Sequence, residues 1–155
     1  VDNVKIVPNA DEEIIELSAI NNANIAVVDK KYIDLFAGFK GETDSLAKIK
    51  LISYKANHLE YSVENLNQPQ IAIFSEIYYE KGWNAYVDGK LMPHFRTNYI
   101  LRGMLVPAGA KQIVFKFEPK LFYTGEKISF AGSILLYVVI FGALAYNFYR
   151  KRKNG

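Results

Sequence analysis

The sequence predicts a mainly β fold: a β-sandwich or jelly-roll-like domain with a small α/β N-terminal addition, followed by one transmembrane helix. Three observations carry this. From Lys48 onward the apolar residues recur with a period of two, and turn residues bound each run. Residues 4–28 read as strand, helix and strand. Ile128 to Tyr149 is a 22-residue stretch without a formal charge.

Taken in order, Val4–Val7 reads as a short strand. Asn9-Ala10-Asp11-Glu12-Glu13 then gives a helix start with acids in its first turn, where they complement the helix dipole. Ile14, Leu17 and Ile20 form its apolar stripe, and Ile25–Val28 is a second strand. In residues 29–47, Tyr32, Leu35 and Phe36 fit a helix, while Gly38 and Gly41 break the pattern. Lys48–Tyr54 and His58–Val63 pair around Lys55-Ala56-Asn57. Gln70–Glu76 is more continuously apolar and predicts a central strand. Trp83–Val87 and Lys90–Met92 flank Asp88-Gly89, a dipeptide suited to the positive φ of a type I′ hairpin turn. Phe95–Thr97 and Tyr99–Val106 follow. Pro107-Ala108-Gly109-Ala110 turns the chain into Lys111–Phe117, whose Ile113, Phe115 and Phe117 share one face. Glu118-Pro119 ends the sheet.

This reading divides the chain into a small α/β lead-in at 1–47 and a β-sandwich at 48–127. A transmembrane helix at 128–149 and a basic tail at 150–155 complete it. As a helix, the apolar stretch reaches roughly 33 Å, enough for a hydrocarbon core of about 30 Å. Tyr123, Phe130, Tyr146, Phe148 and Tyr149 cluster towards its ends, where amphipathic rings favour the interface. Arg150, Lys151, Arg152 and Lys153 follow directly, so by the positive-inside rule this end is cytoplasmic and residues 1–127 are extracytoplasmic. The opening Val1-Asp2-Asn3-Val4 offers no export signal, which predicts that upstream transmembrane helices of the same protein carry the domain out.

Composition narrows the function classes. Half of the residues are hydrophobic and 14% aromatic, mostly Tyr (11) and Phe (10), which suits packed strands. Four of the 19 basic residues lie in the tail, and the other 15 face 16 acids in residues 1–127. A near-neutral domain of this kind is no footprint for nucleic acid. The absence of cysteine excludes disulfides, thiolate catalysis and Cys-ligated metal sites.

The segment Phe74-Ser75-Glu76-Ile77-Tyr78-Tyr79-Glu80-Lys81-Gly82-Trp83-Asn84-Ala85-Tyr86-Val87-Asp88-Gly89-Lys90 resembles the C-terminal region of the bacterial YfhO-like multi-spanning membrane proteins. So do Asn98–Gly103, Val106-Pro107-Ala108-Gly109 and Val114–Pro119. The resemblance implies a protein of the bacterial inner (cytoplasmic) membrane, similar to the GT-C glycosyltransferases that use polyprenyl-phosphate sugars. In that class the catalytic carboxylate sits near the N-terminal helices, outside this chain. No catalytic residue is therefore expected here, and the residues themselves point to no cofactor and no metal. The expected role is a noncatalytic extracytoplasmic domain aiding sugar transfer to a cell-envelope glycan. An independent carbohydrate-binding module and a purely structural cap on the helical bundle are the alternatives.

The candidate substrate-binding residues are Trp83, Tyr78, Tyr79, Tyr86, Arg96 and Arg102. Aromatic faces pack against sugar C–H groups, and guanidinium forks hold phosphate or carboxylate. Each also has a plain structural role to offer: core Trp, cross-strand Tyr ladder, strand-face ion pair. Asp88 is first a turn residue. His58 and His94, far apart and without Cys, do not read as a metal site. Ser75 lacks a nucleophile-elbow context, and Glu76 with Glu80 lacks the further signature of a hydrolase pair.

Overall fold

The computed structural model describes residues 1–20, 24–39, 41 and 45–153. They form two compact units, Val1–Glu118 and Pro119–Gly155. The first opens with strand β1 (Asn3–Val7), helix α1 (Ala10–Ala19) and strand β2 (Ile25–Asp29), and β1 pairs with β2 in parallel. This is a βαβ unit. The Asn9 side chain accepts a hydrogen bond from the Glu12 amide at 3.0 Å and starts α1. The helix does not bury the stripe its apolar residues outline. Ile14 is 46% exposed, whereas the Glu13 carboxylate is fully buried. The ambiguous stretch after β2 is a 3₁₀ helix, Lys30–Phe36, capped by the Asp29 side chain on the Lys31 amide.

Two antiparallel sheets follow. Strands β3 (Lys48–Lys55), β4 (His58–Glu64), β6 (Trp83–Val87), β7 (Lys90–Met92) and β10 (Gln112–Phe117) form one sheet in the order β3-β4-β10-β6-β7. Strands β5 (Gln70–Ile77), β8 (Phe95–Thr97) and β9 (Leu101–Val106) form the other, in the order β5-β9-β8. Asp88 (φ 48°) and Gly89 (φ 79°) have the positive φ values of a type I′ turn between β6 and β7. Asn98 and Tyr99 also adopt positive φ, so β9 begins at Leu101 and not at Tyr99.

The apolar run Gln70–Ile77 is an edge strand of its sheet, not a central one. Its continuous apolarity has another cause: both of its faces are covered. Phe74 enters the core between the two sheets with Leu59, Tyr61, Met104, Ile113 and Phe115. Ile71 enters a second core with Ala26, Val28, Phe36 and Phe95. The βαβ unit thus forms a third layer on the three-stranded sheet. The Thr97 hydroxyl donates to the Val27 carbonyl at 3.0 Å, and the Asn98 side chain accepts from the Val27 amide at 2.8 Å.

The second unit holds helix α2 (Lys120–Lys153), which begins upstream of the expected start. Its stretch Thr124–Leu144 is long and apolar enough to cross a membrane, with a mean hydropathy of 1.9.

Candidate functional site

Strand β9 places Arg102 in the core between the sheets, 1% exposed. Its guanidinium lies 4.6 Å from the ring centres of both Trp83 and Phe115. One nitrogen donates to the Ile77 carbonyl at 3.2 Å, while Nε and Nη1 find no partner among the described residues. Burial pulls the Arg102 pKa down, and the Glu76 carboxylate opposes that pull. The neighbouring Tyr61 hydroxyl is pushed up to about 12, chiefly by burial.

Trp83 is half-buried at the start of β6 and packs on Phe117 with ring centres 5.5 Å apart. Gly82, immediately before it, has φ +112°, and a Cβ there would lie 2.7 Å from the Phe117 ring. The Trp83 carbonyl lies 2.9 Å from His94 Nε2, which fixes Nε2–H as the donor. His94 Nδ1 is buried and has no hydrogen-bond partner among the described residues. The His94 ring meets Tyr78 edge-on at 5.4 Å, and burial lowers its pKa. Tyr78 in turn meets Tyr32 at 6.2 Å, and its hydroxyl pKa is raised, mainly by burial.

An open cleft of about 400 Å³ lies against this cluster, lined by Tyr78, Glu80, Asn84 and His94 with Ala85, Leu91, Met92 and Pro93. Behind Asn84, the Glu118 carboxylate accepts from the Asn84 amide at 2.9 Å and from the Tyr86 hydroxyl at 2.7 Å. These two bonds, in that order of effect, lower the Glu118 pKa. The cleft combines the Tyr78 and His94 rings, the Asn84 amide and the Glu80 carboxylate with the apolar side chains of Ala85, Leu91, Met92 and Pro93.

Of the six candidate residues, Tyr78 lines the cleft. Trp83 and Arg102 stand behind it, joined to it through His94. Tyr86 reaches it through Glu118. Tyr79 is exposed beside Glu80. Arg96 lies elsewhere, bonding the buried Glu13 carboxylate at 2.7 Å, with Asp29 3.9 Å away. His94 and Asn84 were not among the candidates. His94 has a signal in the sequence, since Pro93-His94 immediately follows the short hairpin strand that faces Trp83–Val87. Asp88 does more than turn the chain: its carboxylate accepts from the amides of Lys111 and Gln112 and fixes the start of β10.

The family described as "Bacterial membrane protein YfhO" matches residues 20–129. No curated protein and no solved structure matches the chain.

Proposed function

We propose, from the premise that this chain belongs to the YfhO family of bacterial membrane proteins, that it is an extracytoplasmic sugar-holding domain. It is anchored in the inner membrane by α2, with the basic tail in the cytoplasm. In this reading the domain aids transfer of sugars from a polyprenyl-phosphate carrier to a cell-envelope glycan, and the reacting carboxylate lies elsewhere in the parent protein.

The observation that supports it is the cleft of Tyr78, Glu80, Asn84 and His94. Sugar recognition needs an apolar or aromatic surface for ring C–H groups and fixed polar groups for hydroxyls. The cleft offers both. Its polar groups are Glu80 and Asn84, the latter held in place by Glu118, while His94, tied to the Trp83 carbonyl, contributes a ring face. Trp83 and Arg102 support the wall from behind.

The test is calorimetric titration of the detergent-solubilised chain with soluble oligosaccharides of the cell envelope. Binding that weakens in Glu80→Ala, with an unchanged melting temperature, supports the reading. Absence of binding in the wild type favours the structural cap.

A further inference from the structure

The backbone gathers three loops at the end of the β unit from which the chain leaves for α2. The Phe117 amide donates to the Asn57 carbonyl at 2.9 Å, and the Glu118 amide donates to the Gly82 carbonyl. The Tyr78 amide donates to the Ile100 carbonyl at 2.8 Å. The β3–β4 turn, the 78–82 loop and the 98–100 turn therefore form one rim beside Glu118. Exposed large apolar side chains collect on it: Tyr54 (64%), Ile77 (71%), Tyr79 (53%) and Ile100 (50%). Lys55 and Lys81 stand among them.

The opposite end contrasts with this rim. Its loops at 65–69, 88–89 and 107–111 carry no exposed large hydrophobic side chain, while Leu46, Ile49 (37%) and Leu91 (64%) stand on the chain flanking them. Within the turns themselves the rim carries Tyr79 and Ile100 and the opposite end carries none, a clustering that water alone does not favour. The bilayer does. Five residues, 119–123, separate Glu118 from the apolar stretch Thr124–Leu144, so Glu118 and Thr124 are at most about 22 Å apart even when the link is fully extended. Tyr at the interface, aliphatic side chains below it and Lys among the headgroups make up the composition that membrane–water boundaries select.

We infer that this rim is a membrane-contacting surface that seats the β unit on the bilayer it is anchored in. Tyr54, Ile77, Tyr79 and Ile100 enter the headgroup region, and Lys55 and Lys81 face lipid phosphates. Glu80 lies on the same rim and keeps its net charge low, so apolar insertion carries the contact and electrostatics adds little. This inference needs only the membrane anchor and not the sugar reading.

The cysteine-free sequence makes the experiment direct. Tyr79→Cys and Ala56→Cys on the rim, and Lys90→Cys and Ala108→Cys on the opposite end, are labelled with an environment-sensitive fluorophore. Each chain is placed in nanodiscs of phosphatidylethanolamine and phosphatidylglycerol with or without brominated acyl chains. The expected result is blue-shifted emission at 79 and 56 that brominated lipid quenches, with neither effect at 90 and 108. Emission from 79 and 56 that matches fully aqueous labels overturns the inference. So does a label shielded from water that brominated lipid fails to quench, which places protein on the rim instead. Because substitution at 79 removes one of the proposed contacts, the label at 56 gives an independent reading.

Discussion

Arg96 and Arg102 are direct partners in the β8–β9 ladder, yet their guanidinium groups reach opposite electrostatic solutions. Arg96 finds the buried carboxylate of Glu13, 83 residues away in sequence. Arg102, among the described residues, has no carboxylate within ion-pair distance and is held by two aromatic faces and one carbonyl. One cation fastens the βαβ layer to the sheet. The other sits behind the cleft without a direct ion pair among the described residues, with Glu76 acting on it only from a distance.

This difference predicts opposite mutational outcomes. Arg102→Met removes a buried charge with two unpartnered nitrogens while keeping most of its volume, so the melting temperature should stay level or rise. Trp83→Ala opens a cavity and strips one face from that charge, and should cost about 3 kcal/mol. Thermal unfolding of both variants checks this. A large loss in Arg102→Met would mean that the cation has a stronger partner than the Ile77 carbonyl.

Arg96→Ala should destabilise the protein by about 3 kcal/mol, because it leaves the Glu13 carboxylate buried without its counter-charge. Arg96 is partly exposed, which places the cost at the low end for buried pairs. Burial already raises the Glu13 pKa against the pull of Arg96. Without Arg96 the Asp29 backbone hydrogen bond and Lys31 oppose that rise alone, so the Glu13 pKa climbs further, and the deficit should be largest at neutral pH and shrink on acidification. Denaturant titrations at two pH values would show it.

Gly82→Ala should cost about 1–3 kcal/mol, since φ +112° strains any L side chain. The added Cβ also meets the Phe117 ring, which packs on Trp83. Gly89→Ala shares the positive φ but meets no atom within 4 Å. Its smaller loss, measured alongside, separates backbone strain from the ring clash.

The His94 pKa is lowered in the folded protein by burial, and the Arg102 charge adds to this. The Tyr78 and Phe115 rings that also face it offer no counter-charge. Below the ordinary His pKa of about 6.5 the unfolded chain therefore binds a proton that the folded chain refuses. Stability from this group is present above that pH and is lost as pH falls towards the lowered value. His94→Gln should flatten this part of the stability profile, as read from melting temperatures between neutral and mildly acidic pH.

Much of this fold is legible in the sequence, and its failures have physical causes. Asp88-Gly89 names its own turn because few other pairs accept two positive φ values. The apolar run Gln70–Ile77 misleads because burial from two layers looks the same as burial at the middle of a sheet. Glu13 hides in an acidic run that reads as a helix start, although it shares a face with Leu17 and Ile20 at helical spacing. Its partner Arg96 lies too far along the chain for any local pattern to join them. The apolar content of Tyr99–Val106 marks a strand there, but an Arg on it gives no sign that aromatic faces will take the place of water.

The central claim, a β-rich domain outside the cell's inner membrane with a cytoplasmic basic tail, is tested most directly by labelling intact cells. Ala108→Cys lies in an exposed turn of the β unit, and Asn154→Cys follows the run Arg150–Lys153 in sequence. With an impermeant thiol reagent, residue 108 should label in intact cells and residue 154 only after the membrane is opened. Labelling of 154 but not 108 in intact cells would contradict the account.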